Sequence, residues 1–134
     1  MLTFSLANST AFANAESEAH NVKGNEYYND AKNAEDYKKA LEEYTLAINL
    51  DSENATYYSN RGWTYYWLNL YNDAKKDFNQ ALRLKEDCEP AYRGLGWCEY
   101  YQGNYTEALP YFTKAIQLNE NVATSYDGLA EVYF

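Results

Sequence analysis

The chain has 134 residues, of which 46% are hydrophobic and 18% aromatic, so it is long and apolar enough to fold around a core. Its 20 acidic residues outnumber 11 basic ones, and the net charge of −9 disfavours nucleic acids and anionic membranes as partners because like charges repel. No apolar run reaches about 18 residues, which excludes a transmembrane helix.

Residues 1–18 are predicted to form a leader that precedes a domain of residues 19–134. Leu2, Phe4, Leu6 and Phe12 make this leader more apolar than a solvated terminus would be. The tripeptide ANA at 13–15 has the small-x-small form of a secretory cleavage site, although no basic residue precedes it. The leader is therefore either a signal-peptide remnant or a segment that docks on an apolar surface.

The first helical unit is expected to contain helices at 15–34 and 36–50. Gly24 and Tyr37 are 13 residues apart, whereas the equivalent Gly62 and Tyr71 of the next unit are 9 apart. Four additional residues are about one helical turn, so they should lengthen the first helix or the turn that follows it. His20 lies at the edge of the first helix and is expected to be solvated.

The middle of the chain repeats itself. The segment RGWTYYWLNLYNDA at 61–74 returns as LGWCEYYQGNYTEA at 95–108, which is 34 residues later. Residues 56–84 align without gaps on residues 90–118, and residues 124–134 match the first half of the same unit. A fixed period of this length is typical of stacked helical repeats.

Each repeat has two halves with helical periodicity. Tyr71, Ala74, Phe78 and Ala81 share one helical face, and Asn69 precedes them as a residue that tolerates the left-handed turn conformation. Each unit is therefore predicted to be a helix hairpin in which small residues let paired helices approach closely. The expected helices of these units span 54–70, 71–84, 89–102, 105–118 and 122–133, and the close contacts are expected at Gly62 and Gly96.

Two cysteines, Cys88 and Cys98, are ten residues apart. On one helix this separation is roughly 15 Å, about twice the span of a disulfide, so both are expected to be free thiols. No spacing of metal ligands accompanies them, and no metal or cofactor is expected.

The sequence resembles the tetratricopeptide repeat family, whose unit has a small residue midway along the first helix and an A…F/Y…A pattern in the second. The resemblance covers residues 19–134 and implies an all-α fold, a right-handed α-solenoid of three helix-hairpin repeats plus a C-terminal helix. It also implies that the first helix of each unit lines the concave side. The residues that carry it are Gly62, Tyr65, Tyr71, Ala74, Phe78, Ala81, Gly96, Tyr105, Ala108, Phe112 and Ala115.

A second aromatic stripe follows the other face of each first helix. The resemblance places this stripe in the concave groove, where large rings with polar handles suit the binding of a protein or peptide partner. The alternative is that the rings only pack between neighbouring first helices. The stripe consists of Tyr28, Trp63, Tyr66, Trp67, Trp97, Tyr100 and Tyr101.

One branch of the family clamps the C-terminal carboxylate of cytosolic chaperones, and Asn25 and Asn60 match its two asparagines. The three cations of that clamp are replaced by Asn21, Pro90 and Gly94, although Arg93 is adjacent to the last. The clamp is therefore an alternative with an incomplete motif. The predicted site comprises Asn25, Tyr28, Asn60, Trp63, Tyr66, Trp67, Arg93, Trp97, Tyr100 and Tyr101.

Catalysis has little support in the sequence. Glu99 is the best acid or base candidate, but no nucleophile, histidine or second carboxylate is placed beside it. A buried Glu99 paired with a Lys or Arg is the expected arrangement. No catalytic residue is predicted.

Two functions from different classes follow. The leading hypothesis is a cytoplasmic binding module, with a secreted or periplasmic location if the leader is a signal remnant. The alternative is a scaffold that assembles with itself, because both ends of the chain are apolar where a repeat array needs polar outer faces. The leader would then occupy the groove of its own or a neighbouring chain.

Overall fold

The computed structural model describes the backbone of residues 2–134 and the side chains of residues 8–134. Within this part of the chain there are seven helices and no strand, which confirms the all-α prediction. The helices are α1 (Leu2–Asn29), α2 (Ala34–Leu50), α3 (Ala55–Trp67), α4 (Tyr71–Leu84), α5 (Glu89–Tyr101), α6 (Tyr105–Leu118) and α7 (Ala123–Tyr133).

The helices pack as consecutive antiparallel pairs. Helix α1 packs on α2, α3 on α4 and α5 on α6, while α7 covers α6 at the end of the stack. Helices α3, α5 and α7 begin at residues 55, 89 and 123, a spacing of 34 residues. The chain is thus an α-solenoid of three hairpins and a final helix. None of the helices in the described part has the length and hydropathy of a membrane-spanning segment.

Local sequence signals fix the ends of these helices. Asn33 Oδ1 accepts the backbone N–H of Asp36 at 3.1 Å and caps α2, and Asn54 Oδ1 accepts that of Thr56 and caps α3. The turns inside the second and third hairpins contain Asn69 at φ 61° and Gly103 at φ 82°. Both adopt the left-handed conformation, as the sequence predicts for Asn69.

The additional residues of the first unit lie in the turn after the first helix, which is one of the two predicted places, and in the start of α2. Helix α1 ends at Asn29, five residues after Gly24, just as α3 ends at Trp67, five residues after Gly62. The insertion instead occupies the turn at 30–33 and the first turn of α2, which has 17 residues against 14 in α4. The turn is closed by Asp36, whose Oδ2 accepts the backbone N–H of Lys32 at 3.0 Å.

Helix α1 also begins earlier than expected, at Leu2 rather than residue 15, and it runs through position 18 without interruption. Ser17 and Glu18 attach it to α3 through the hydroxyl of Tyr57, at 3.3 and 2.9 Å. Phe12 is 76% exposed on this helix. The backbone therefore does not fold back into a groove of its own chain. The side chains of Leu2, Phe4 and Leu6 lie outside the described residues.

One aromatic ring per hairpin forms the core. Phe78 and Phe112, 34 residues apart, are fully buried, as are the alanines on either side of them along α4 and α6. A Cβ added at Gly62 would stand 2.7 Å from the Phe78 ring, and one at Gly96 would stand 2.7 Å from the Phe112 ring. This confirms both glycines as contact points between paired helices.

We expect Gly62→Leu to lower the free energy of unfolding by about 1–3 kcal/mol, because the new side chain must displace Phe78. The higher helix propensity of leucine recovers less than about 1 kcal/mol. Urea denaturation followed by circular dichroism measures the change.

Ala130 provides a matched control because it occupies the same repeat position on α7, where it is exposed and no second helix covers it. Ala130→Leu should leave stability nearly unchanged. Equal effects of the two leucines would show that the Gly62 contact is not what the substitution disturbs.

Candidate functional site

An open groove runs between α3 and α5 on the side formed by the first helices. Its volume is about 880 Å³. Its lining extends from Tyr28 of α1 to Thr124 of α7. Besides predicted site residues, it is lined by Ala55, Thr56, Ser59, Lys85, Asp87, Cys88, Glu89, Pro90, Leu118 and Asn119.

Eight of the ten predicted site residues line this groove together. Six of them are aromatic, and they come from three different first helices because the solenoid places equivalent positions side by side. The eight are Tyr28, Asn60, Trp63, Tyr66, Trp67, Arg93, Trp97 and Tyr101.

Trp63 belongs to the groove and to the core at once. Its ring meets Phe78 edge to face, with centroids 5.5 Å apart, and its indole N–H donates to the Pro90 carbonyl at 3.2 Å. The Arg93 guanidinium stands over the Trp63 ring at 4.8 Å. The Trp63 ring therefore packs between helices and is also accessible from the groove.

Trp67 and Tyr101 are the most exposed rings of the groove, at 51% and 55%. Trp67 donates its indole N–H to the Tyr28 hydroxyl at 2.8 Å and stacks on Tyr37. Tyr101 stacks on Trp97, with centroids 5.9 Å apart. These rings are oriented by neighbouring rings, so their exposed faces form a fixed surface.

The phenols at the base of the groove are uncharged. Burial raises the pKa of Tyr66 and of Tyr28 above the usual value for tyrosine, and in Tyr28 the hydrogen bond from Trp67 opposes this only in part. Neither hydroxyl ionises near neutral pH. The floor therefore presents O–H groups and rings, with no phenolate charge.

Two predicted residues, Asn25 and Tyr100, are not among those lining the groove. The Oδ1 atom of Asn25 accepts the Tyr44 hydroxyl at 2.7 Å and an N–H of Asn60 at 3.4 Å. The Asn60 amide also donates to Asn21 at 2.9 Å. The Tyr100 hydroxyl donates to Glu131 on α7. The asparagines thus form a polar cluster between α1, α2 and α3.

The charges of the groove cancel. Lys85 and Arg93 are balanced by Asp87 and Glu89. The Arg93 side chain donates to the Glu89 carboxylate at 2.9 Å and to the Thr124 hydroxyl at 3.3 Å. The groove is therefore close to neutral, although the whole chain carries −9.

The remaining candidate groups serve the fold. The Glu99 carboxylate pairs with Lys75 at 2.9 Å and accepts the Asn104 side chain at 2.7 Å, which confirms the expected pairing. His20, which was expected to be solvated, is only partly exposed, and its Nδ1 lies 2.7 Å from the Glu43 carboxylate. No group of three metal-ligating side chains occurs in the described part of the chain.

Cys88 and Cys98 are free and buried, as the sequence indicates. Burial raises the pKa of the Cys98 thiol to about 12, with the nearby Lys75 ammonium opposing the shift. Cys88 lies at the edge of the groove and is 7% exposed.

Stacked hairpins at a 34-residue spacing, with an aromatic groove on the side of the first helices, define a helical-repeat protein. The tetratricopeptide repeat family model matches residues 55–88 and 90–122, half of the chain. The chain belongs to the tetratricopeptide repeat family. No curated protein sequence matches it.

Solved tetratricopeptide repeat (TPR) domains are similar to most of the chain. The Arabidopsis OM64 TPR domain is 28% identical with a TM-score of 0.84, covering 90% of this chain and 97% of that one. The second TPR of Spaghetti (RPAP3), bound to the HSP90 peptide SRMEEVD, is 26% identical with a TM-score of 0.76, covering 84% and 99%. The yeast Sti1 TPR2B domain, in a complex with pHsp70, is 24% identical with a TM-score of 0.75, covering 89% and 94%.

We expect Cys98 to resist N-ethylmaleimide in the folded protein at pH 8. A thiol whose pKa is raised to about 12 carries very little thiolate at that pH, and thiolate is the reactive form. Mass spectrometry of the digested protein should show Cys98 modified only after denaturation, with Cys88 modified first under native conditions. Native labelling of Cys98 as fast as Cys88 would contradict its enclosure.

Proposed function

We propose that the groove binds a peptide segment of a partner protein. The observation that carries this proposal is the array of six fixed aromatic rings that line one concave surface, of which Trp67 and Tyr101 are each about half exposed. Exposed rings gathered in this way are typical of binding surfaces. Covering them gains about 25 cal/mol for each Å² of apolar area removed from water.

The solved complexes support the choice of a peptide. The second TPR of Spaghetti is bound to an HSP90 peptide, so a solenoid of this size and shape can accommodate a peptide. Binding fits the site better than catalysis, because Glu99 is already paired with Lys75. A cytoplasmic location is part of the proposal, since Cys88 and Cys98 are free thiols that suit a reducing compartment.

The ligand is proposed to be different from an acidic C-terminal tail. Asn25 and Asn60, which match the asparagines of the carboxylate clamp, are hydrogen-bonded to each other and to core residues. Arg93 is paired with Glu89, so a carboxylate ligand must compete with a carboxylate already in place. An internal segment without excess acidic residues suits this groove better.

Self-assembly is a second candidate, favoured by the outer face of α7. Tyr126 and Tyr133 are 46% and 70% exposed there. The same face of α3 is covered by α4, and that of α5 by α6. A second copy that lays an apolar helix on α7 would bury both rings, and the exposed Phe12 of a neighbouring leader offers a further contact.

Light scattering across a concentration series measures the apparent mass and so tests whether the chain self-assembles. If α7 pairs between copies, the apparent mass should rise with protein concentration and return to that of the monomer in Tyr126→Ser/Tyr133→Ser. A constant monomer mass up to high concentration would exclude self-assembly through α7.

For the groove, we expect Trp67→Ala/Tyr101→Ala to weaken the binding of peptides selected from a random displayed library. Truncating two central aromatic contacts typically costs about 2 kcal/mol or more, which is roughly a 30-fold loss of affinity. Isothermal calorimetry with the selected peptides measures it. These two rings are preferable to Trp63 and Trp97, whose contacts with Phe78 and Phe112 also support the core.

Tyr126→Ala/Tyr133→Ala is the matched control because it removes two exposed rings outside the groove. Selected peptides should bind this variant normally. The synthetic peptide SRMEEVD should bind the unmodified protein more weakly than the selected peptides. A library that yields no peptide sensitive to the groove variant would overturn the proposed function.

A further inference from the structure

The 34-residue spacing allows the surroundings of Trp63 and Trp97 to be compared position by position. Helices α3, α5 and α7 start at residues 55, 89 and 123, so Trp63 on α3 corresponds to Trp97 on α5. Both rings meet a core phenylalanine edge to face, Trp63 with Phe78 at 5.5 Å and Trp97 with Phe112 at 5.2 Å. The two indoles are therefore held by the same core contact.

At the first indole, Trp63, a cationic side chain of the same chain lies over the ring. Arg93, on the next first helix, places its guanidinium 4.8 Å from the centre of the Trp63 ring. Glu89, one helical turn earlier, holds that guanidinium at 2.9 Å. The ring face, the cation and the carboxylate form one unit in which the positive charge is shared by the indole and the acid.

At the second indole, Trp97, the two residues that correspond to Arg93 and Glu89 have different charges. Position 127, which corresponds to Arg93, is an aspartate, and position 123, which corresponds to Glu89, is an alanine. Helix α7 packs against α5 as α5 packs against α3, so Asp127 occupies on α7 the position that Arg93 occupies on α5, beside the groove and not among its lining residues. Among residues 8–134, no cation lies over the Trp97 ring and no ion pair involves Asp127.

We propose that this end of the groove binds a cationic side chain of the partner peptide, an arginine in preference to a lysine. The guanidinium of the peptide arginine lies on the Trp97 ring, as the Arg93 guanidinium lies on the Trp63 ring. Asp127 supplies a carboxylate to the peptide arginine, as Glu89 does to Arg93. Arginine is preferred because a planar guanidinium stacks on an indole and forms paired hydrogen bonds with a carboxylate. The inference rests on the proposed function, and it names the chemistry of the ligand.

The charge of the protein supports this ligand. A net charge of −9 attracts a basic segment, whereas the neutral groove offers an acidic one no compensation. Glu131, which accepts the Tyr100 hydroxyl one turn beyond Asp127, adds a further negative charge at the same end. A basic residue is thus favoured at the α7 end, and apolar residues along the rings.

The test uses acetyl-LPRLPRL-amide and its counterpart with both arginines replaced by glutamine. The three tryptophans of the chain give three indole N–H signals in a ¹⁵N-correlated NMR spectrum, so each ring reports separately. The arginine peptide should shift the Trp97 signal saturably and more than the Trp63 signal, whose ring is already covered by Arg93. The glutamine peptide should bind about threefold to tenfold more weakly.

Two substitutions of Asp127 test the contribution of its carboxylate apart from that of the Trp97 ring. Asp127→Asn should reduce the preference for the arginine peptide about threefold or more. Asp127→Arg should remove it, because the chain then supplies its own cation, as it does at Trp63. Glu42→Gln, an exposed residue of α2, makes the same change of charge as Asp127→Asn away from the groove and should have no effect.

The inference is overturned if the arginine peptide leaves the Trp97 signal unchanged at millimolar concentration. It is equally overturned if both peptides bind with one affinity, or if Asp127→Asn and Glu42→Gln behave alike. The proposed function fails separately. Library peptides that need Trp67 and Tyr101 but contain no basic residue would uphold peptide binding while refuting the cation site.

Discussion

The wedge of one aromatic ring between glycines of successive first helices is the contact on which the solenoid depends. Phe78 lies against Gly62 of its own hairpin and Gly94 of the next, and Phe112 likewise lies between Gly96 and Gly128. Because any residue larger than glycine at these positions would push the helices apart, the ring sets the distance between successive first helices. Trp63 and Trp97 then rest edge-on against these same rings, so the core contact also sets the floor of the groove.

Most of the fold could be predicted because this wedge recurs at a fixed interval. The repeated pattern located α3 to α7 to within a few residues, since packing and helical periodicity act together there. The first unit was less predictable. Its turn is closed by Asp36 and capped by Asn33, contacts that depend on side-chain geometry and leave no periodic signal. The apolar composition of the leader likewise did not reveal that α1 starts at Leu2.

The candidate site could be predicted where it follows a helical stripe and not elsewhere. Eight predicted residues line the groove because equivalent positions on parallel helices become neighbours. Asn25 was misplaced because Tyr44, unlike Phe78 and Phe112, carries a hydroxyl that needs an acceptor, and Asn25 supplies it. Lys85, in the loop after α4, was missed because a helical stripe gives no information about loops.

A repeat protein contains its own comparison, because the same position recurs in a similar environment with a different residue. Between α3 and α5 the position opposite the indole is Arg93, and its guanidinium lies over the Trp63 ring. Between α5 and α7 it is Asp127, and no cation of residues 8–134 lies over the equivalent ring. Between α1 and α3 the place of the indole is taken by Asn25, within an amide cluster. The contact of an aromatic ring with a glycine recurs in every hairpin, so these departures distinguish what a layer contributes to binding from what it contributes to the fold.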